Sequence, residues 1–149
     1  MDFFDKAIPW LGKFHPAAVH FPIAMLVAAS VAELLLLFTG RSAYEAVSRF
    51  CLSFGAAAAL LAGILGWCCG GFQVVDRYWV LTAHRWLGTG SSVLLVLLLV
   101  FSKGSNHPGF GRTRMWFQGT LFLSTALVLL TGFFGGAMVH GLDYYAWPE

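Results

Sequence analysis

Four of the five histidines, His15, His20, His84 and His140, lie where long apolar stretches begin or end. The first two share the segment FHPAAVHFPIAML, residues 14–26, with Pro16 and Pro22. Ionisable rings at membrane depth are costly and tend to be functional, so four of them at apolar segment ends point to a shared site. Neutral imidazole ligates zinc, copper and iron alike. No H-E-x-x-H or carboxylate-rich signature indicates a hydrolytic zinc or di-iron centre, and without C-x-x-C-H covalent c-type haem attachment is excluded. His107, in NHPGFG, reads as an ordinary loop residue.

The elements that must position these rings follow from composition. The chain has 149 residues, 58% hydrophobic and 11% charged, against about 45–50% and 25% in soluble domains. It reads as an integral membrane protein of one domain, residues 1–149. About 20 apolar residues cross a bilayer, and four segments qualify: 20–38, 51–70, 83–101 and 116–140. The intervening TGRSAYEAVSRF, GGFQVVDRYWVLT and SKGSNHPGFGRTR carry the Gly, Pro, Ser and charge of connections. The expected fold is all-α, a four-helix membrane bundle.

Arg41, Arg49, Lys103, Arg112 and Arg114 oppose only Glu45 in the first and third connections. Lys6, Lys13, Arg77 and Arg85 on the other side face Asp2, Asp5, Asp76, Asp143 and Glu149. Basic loops stay cytoplasmic, so both termini and the four histidines are expected on the opposite, outer side. Trp10, Trp67, Trp79, Trp86 and Trp147, with Tyr78, Tyr144 and Tyr145, then form an aromatic belt there. The N-terminus lacks the order of a cleavable signal, so Met1 is expected to start the mature chain. Scattered basic residues exclude a nucleic-acid footprint.

At 1.5 Å per helical residue, His20 and His84 lie about 27 and 26 Å above the inner span ends. His15 and His140 lie about 35 and 36 Å above them. Two levels argue against one four-ligand zinc site. Haem b needs only two imidazoles from facing helices at one depth, so His20 and His84 are the expected axial pair, with His140 the alternative ligand. His15, His140 and Arg85 would approach the propionates. Gly88, Gly136 and Ala24, one turn below His84, His140 and His20, leave room for a macrocycle, as bundle cofactor sites require. One haem is simpler than two, whose irons would stack about 9 Å apart. Pro16 and Pro22 fix the entry of the first span.

Three further features complete the reading. Gly55, Ala59 and Gly63, and Gly132 with Gly136, are small faces for close helix contacts. Cys51, Cys68 and Cys69 make no disulfide framework, and the adjacent pair reads as small packing residues. Glu33, the single acid inside a span, is expected to snorkel to Arg41 or Arg49; a proton-relay or quinone-site carboxylate is the other reading.

HPAAVHFPI at the first span, LTAHRWLG at the third and TGFFGGAMVHGLDYY at the end together resemble a broad bacterial family of small four-helix membrane proteins of unknown function. Similar domains occur fused to or beside c-type cytochrome domains in planctomycete-type genomes. The resemblance implies a redox setting and puts His15, His20, His84 and His140 at the family's histidine positions. Relatives often read T-G-H-x-G-G, where this chain has Phe133, so it is one potential ligand short of a second site.

The resulting expectation is a b-type haem subunit within a larger membrane complex, exchanging electrons with a quinol or a c-type cytochrome. The alternatives are a cofactor-free anchor or assembly subunit, or a copper- or zinc-handling protein using the histidines with Cys68 and Cys69.

Overall fold

A computed structural model describes residues 3–104 and 112–145, with the side chains of Lys103, Gly104, Arg112, Asp143 and Tyr145 excepted. His107 and Trp147 lie outside the described residues. Among the described residues six helices follow one another: α1 (Phe3–Gly12), α2 (His15–Ala18), α3 (His20–Thr39), α4 (Ala43–Gly70), α5 (Trp79–Gly104) and α6 (Arg112–His140), before a 3₁₀ turn at Leu142–Tyr145. Four stretches are long and apolar enough to cross a membrane: Phe3–Thr39, Ala43–Gly70, Trp79–Ser102 and Thr113–His140.

The helices outrun the expected spans. α4 begins at Ala43 instead of 51, because a helix satisfies its own backbone whether lipid or water surrounds it. The extension carries the Glu45–Arg49 pair at 2.7 Å, one turn apart on its surface. Sharp stops come from Gly40 and Gly71, at φ 67° and 71°, which cap α3 and α4 in the left-handed conformation.

Neighbours in sequence are neighbours in space. α3 packs on α4 and α5 on α6, while α4–α5 and α3–α6 contacts close the ring. α3 and α5 are therefore diagonal partners. Leu26, Ala29, Cys51, Leu52, Ala56, Ala59, Leu95, Leu98 and Leu121 fill the centre. The small faces behave as expected: Gly55 meets Met25 and Leu26, and Gly132 meets Ile23.

The first span has an unforeseen head. α1 and α2 extend α3 beyond His20 and lie against the end of α4. Pro16 sits in the first turn of α2, where a missing N–H costs nothing. Gly12 rests directly on the backbone of Cys68 and Cys69, while the Cys69 side chain is exposed. A Cβ at Gly12 overlaps backbone that cannot retreat. Gly12→Ala is therefore expected to cost about 1–3 kcal/mol by overpacking. Thermal unfolding in detergent should register the loss, with faster tryptic cleavage after Lys13 as α1 lifts away. Unchanged midpoint and cleavage would contradict this seating of α1.

Candidate functional site

His15 and His84 meet at one end of the bundle. Their ring centroids are 5.9 Å apart with planes at 85°. His15 comes from the head of α3 and His84 from α5, so they reach toward each other from diagonal corners. Each is anchored to the next helix round the ring: His15 Nδ1 lies 2.8 Å from the Ala62 carbonyl on α4, and His84 Nδ1 lies 2.8 Å from the Thr131 carbonyl on α6. A carbonyl only accepts, so Nδ1 carries the proton in both rings. In each neutral imidazole the lone pair is then on Nε2. A carbonyl holding one ring nitrogen while the other stays free to ligate is the arrangement found behind metal-bound histidines.

Two glycines make the room. A Cβ at Gly66 would lie 2.9 Å from His15 Cε1, and one at Gly135 would lie 3.2 Å from His84 Cε1. Both belong to the receiving helix. The expectation looked for space one turn below each histidine on its own helix, whereas a ring that leaves its helix is accommodated by the neighbour. A Cβ at Gly88 would instead lie 3.3 Å from Thr131 Cγ2, and Gly136 is half-buried on α6.

A charged group adjoins His84. Arg85 Nη2 donates to Asp76 Oδ1 at 3.0 Å and to the Gly70 carbonyl at 2.9 Å. The two side chains are 5% and 7% exposed. The guanidinium also sits 4.8 Å from the centre of the Trp67 ring, a cation–π contact. The Asp76 backbone N–H is held by Thr82 Oγ1 at 3.0 Å, which fixes the α4–α5 connection over the arginine. Arg85 Nη1 and Asp76 Oδ2 are buried without a hydrogen-bond partner among the described residues. Such orphans are costly, and they mark the edge of the histidine pair as polar and incompletely satisfied.

The other candidates lie apart. His20 is exposed at the start of α3. Five helical residues turn it about 140° from His15, so both cannot face His84, and His15 is the one that does. His140 is exposed and stacks on Tyr144 at 4.7 Å. Glu33 does not snorkel to Arg41 or Arg49. It is 1% exposed and its Oε2 accepts from Arg114 Nη2 at 2.8 Å and Gln118 Nε2 at 2.9 Å, both on α6. Its position faces the neighbouring α6, while Arg49 is engaged by Glu45.

Ala62, Gly66, Asp76, Thr131 and Gly135 were not singled out from sequence. Backbone carbonyls leave no sequence signal, but the Gly66/Gly70 and Gly132/Gly136 spacings near the span ends carried a faint one. Among the described residues, no three His, Cys, Asp or Glu side chains gather at one point. The donor set is two imidazoles.

No curated protein and no solved structure matches the chain significantly. A family model does: the one described as predicted membrane protein, DUF2231, matches residues 13–144, which include His15, His84 and every residue that anchors them, and the chain belongs to that family.

Proposed function

We propose that this protein is the b-type haem subunit of a membrane redox complex, with one haem b held by His15 and His84. The observation that carries the reading is the matched pair of Nδ1–carbonyl bonds, which leaves both imidazoles with a ligating Nε2. The two rings come from diagonal helices with their centroids 5.9 Å apart, near enough for one metal to engage both. Gly66 and Gly135 supply the cradle that a Cβ would fill. The unpartnered Arg85 Nη1 beside His84 suits a propionate.

A haem bound there would supply one-electron chemistry, tuned by its ligands and their hydrogen bonds. The chain's own part is to fix the two rings, exclude water with the bundle, and offset charge through Arg85 and Asp76. The basic loops favour an orientation with this end away from the cytoplasm, the periplasmic side in the bacterial inner membrane that the resemblance implies. There a c-type cytochrome or a quinol is the natural electron partner, beside other membrane subunits of the complex.

A second reading rests on the same pair. A single copper ion needs no room for a macrocycle, and rings already in contact favour it. A reduced-minus-oxidised visible spectrum with a pyridine haemochrome assay, followed by elemental analysis, separates the two. A sharp α-band of b type is the expected result. A flat spectrum with stoichiometric copper transfers the site to the ion. A colourless, metal-free and folded protein overturns both and leaves the cofactor-free anchor.

A further inference from the structure

A cavity of about 300 Å³ opens between α4 and α5 toward the bilayer, lined by Gly63, Trp67, Phe72, Thr89 and Ser92 among apolar neighbours. That volume is at the lower end for small-molecule sites. Leu60, Ile64 and Val93 at its rim are exposed apolar side chains on transmembrane helices, so an occupant enters from lipid. The cavity adjoins the histidine pair through one turn of α4. Gly63 and Trp67 line it, while the Ala62 carbonyl and Gly66 hold His15 behind it.

Its polar atoms share one property: their hydrogens are already committed. Trp67 Nε1 donates to Thr89 Oγ1 at 3.0 Å, and Thr89 Oγ1 donates to the Arg85 carbonyl at 2.8 Å. Ser92 Oγ donates to the Gly88 carbonyl at 2.9 Å, with the Ala59 carbonyl at 3.2 Å as its other acceptor. Each hydroxyl has one hydrogen and two lone pairs. What Thr89 and Ser92 offer a ligand is therefore acceptor capacity alone. They stand three residues apart on one face of α5. The aromatic wall is held under strain. Phe72 adopts φ 57°, a left-handed conformation unfavourable for a bulky residue, and stacks at 6.3 Å on Trp67. Strain of this kind gathers at ligand clamps.

We propose that this cavity binds the ring of a lipid-soluble quinol, with its hydroxyls donating to Thr89 and Ser92 and its ring seated among Gly63, Ile64 and Val93. The reduced ring carries the two donors that the acceptors require. The oxidised quinone carries only acceptors and pairs with neither. A phospholipid acyl chain satisfies the shape but leaves both hydroxyls unmatched. This binding stands whether or not His15 and His84 hold a haem, as the function proposed above has it, and no electron or proton transfer is part of it.

The test is quenching of tryptophan fluorescence by decylubiquinol, and separately by decylubiquinone, with the whole protein in nanodiscs. Saturable binding of the quinol, about tenfold tighter than the quinone, is expected. Ser92→Ala should weaken the quinol about three- to tenfold and leave the quinone unchanged, the loss of one hydrogen bond. Gly63→Leu, with helical content checked by circular dichroism, should abolish quinol binding. The His15→Ala variant should still bind quinol, so that a missing haem and a missing quinol site are read independently. Equal affinity for both redox forms, quinol binding indifferent to Ser92→Ala and Gly63→Leu, or displacement by phospholipid alone would overturn the proposal.

Discussion

Arg114→Leu is expected to destabilise the bundle by about 3–5 kcal/mol, the cost of leaving a buried charge without its partner. Glu33 is 1% exposed and receives Arg114 and Gln118 on one oxygen. Without the arginine, the buried carboxylate keeps only the Gln118 amide as a donor. Glu33→Leu should cost less, because Arg114 is 11% exposed and lies two residues into α6, where its guanidinium can turn outward. The double variant Glu33→Leu/Arg114→Leu should regain most of the loss, since replacing both members of a buried pair by apolar groups is often near neutral. Thermal unfolding of the four proteins in one detergent gives the coupling energy directly. Simple additivity of the two single losses would show that the pair is not the clasp between α3 and α6 that its geometry indicates.

That clasp bears on the histidine site through register. Glu33–Gln118, the Ser30–Thr125 hydroxyl pair at 2.8 Å and the contact of Ile23 with Gly132 run in order up the α3–α6 seam. At the level of Gly132 and just above it, α6 presents the Thr131 carbonyl to His84 and Gly135 to its ring. A slip of α3 against α6 would move His15 on one side and the seat of His84 on the other. The polar groups low in the seam thus hold the level at which the two imidazoles meet.

The four spans and the all-α bundle were legible because about 20 uninterrupted apolar residues have few other uses. The small faces at Gly55 and Gly132 were legible for a similar reason: the periodicity of small residues survives any choice of neighbours. The histidine pairing was not. It depends on which helices stand diagonally, and on α2 continuing almost helically through Val19 (φ −64°, ψ −22°), which sets His15 and His20 on different faces. Counting residues along a span gives depth but no direction round the axis. Glu33 was misread for the same reason, since its partner is 81 residues away on a helix whose adjacency no local pattern encodes. Arg85 was found as a candidate, but Asp76, which holds it, comes from a connection whose path follows from packing against Thr82 and Gly70.

Those differences fix the sharpest test of the proposed site. His15→Ala and His84→Ala should each abolish the b-type α-band, while His20→Ala and His140→Ala leave its amplitude within about 20% of wild type, as expected of exposed residues away from the site. Gly66→Ala sets a methyl against His15 Cε1, and Gly135→Ala sets one against His84 Cε1. Both should weaken the band without erasing it, because the ring can give by a few tenths of an ångström where backbone cannot. Added imidazole should restore colour to His15→Ala, whose deleted ring leaves a cavity of its own shape beside the Ala62 carbonyl. Loss of the band in His20→Ala with retention in His15→Ala would return the ligand role to the residue expected from depth alone. The same series read by elemental analysis tests the copper reading, since both centres require the same two nitrogens. A purely structural role for the pair predicts something else: lowered unfolding temperature in His15→Ala and His84→Ala, from the lost ties to Ala62 and Thr131, with no pigment or metal lost, because none was bound.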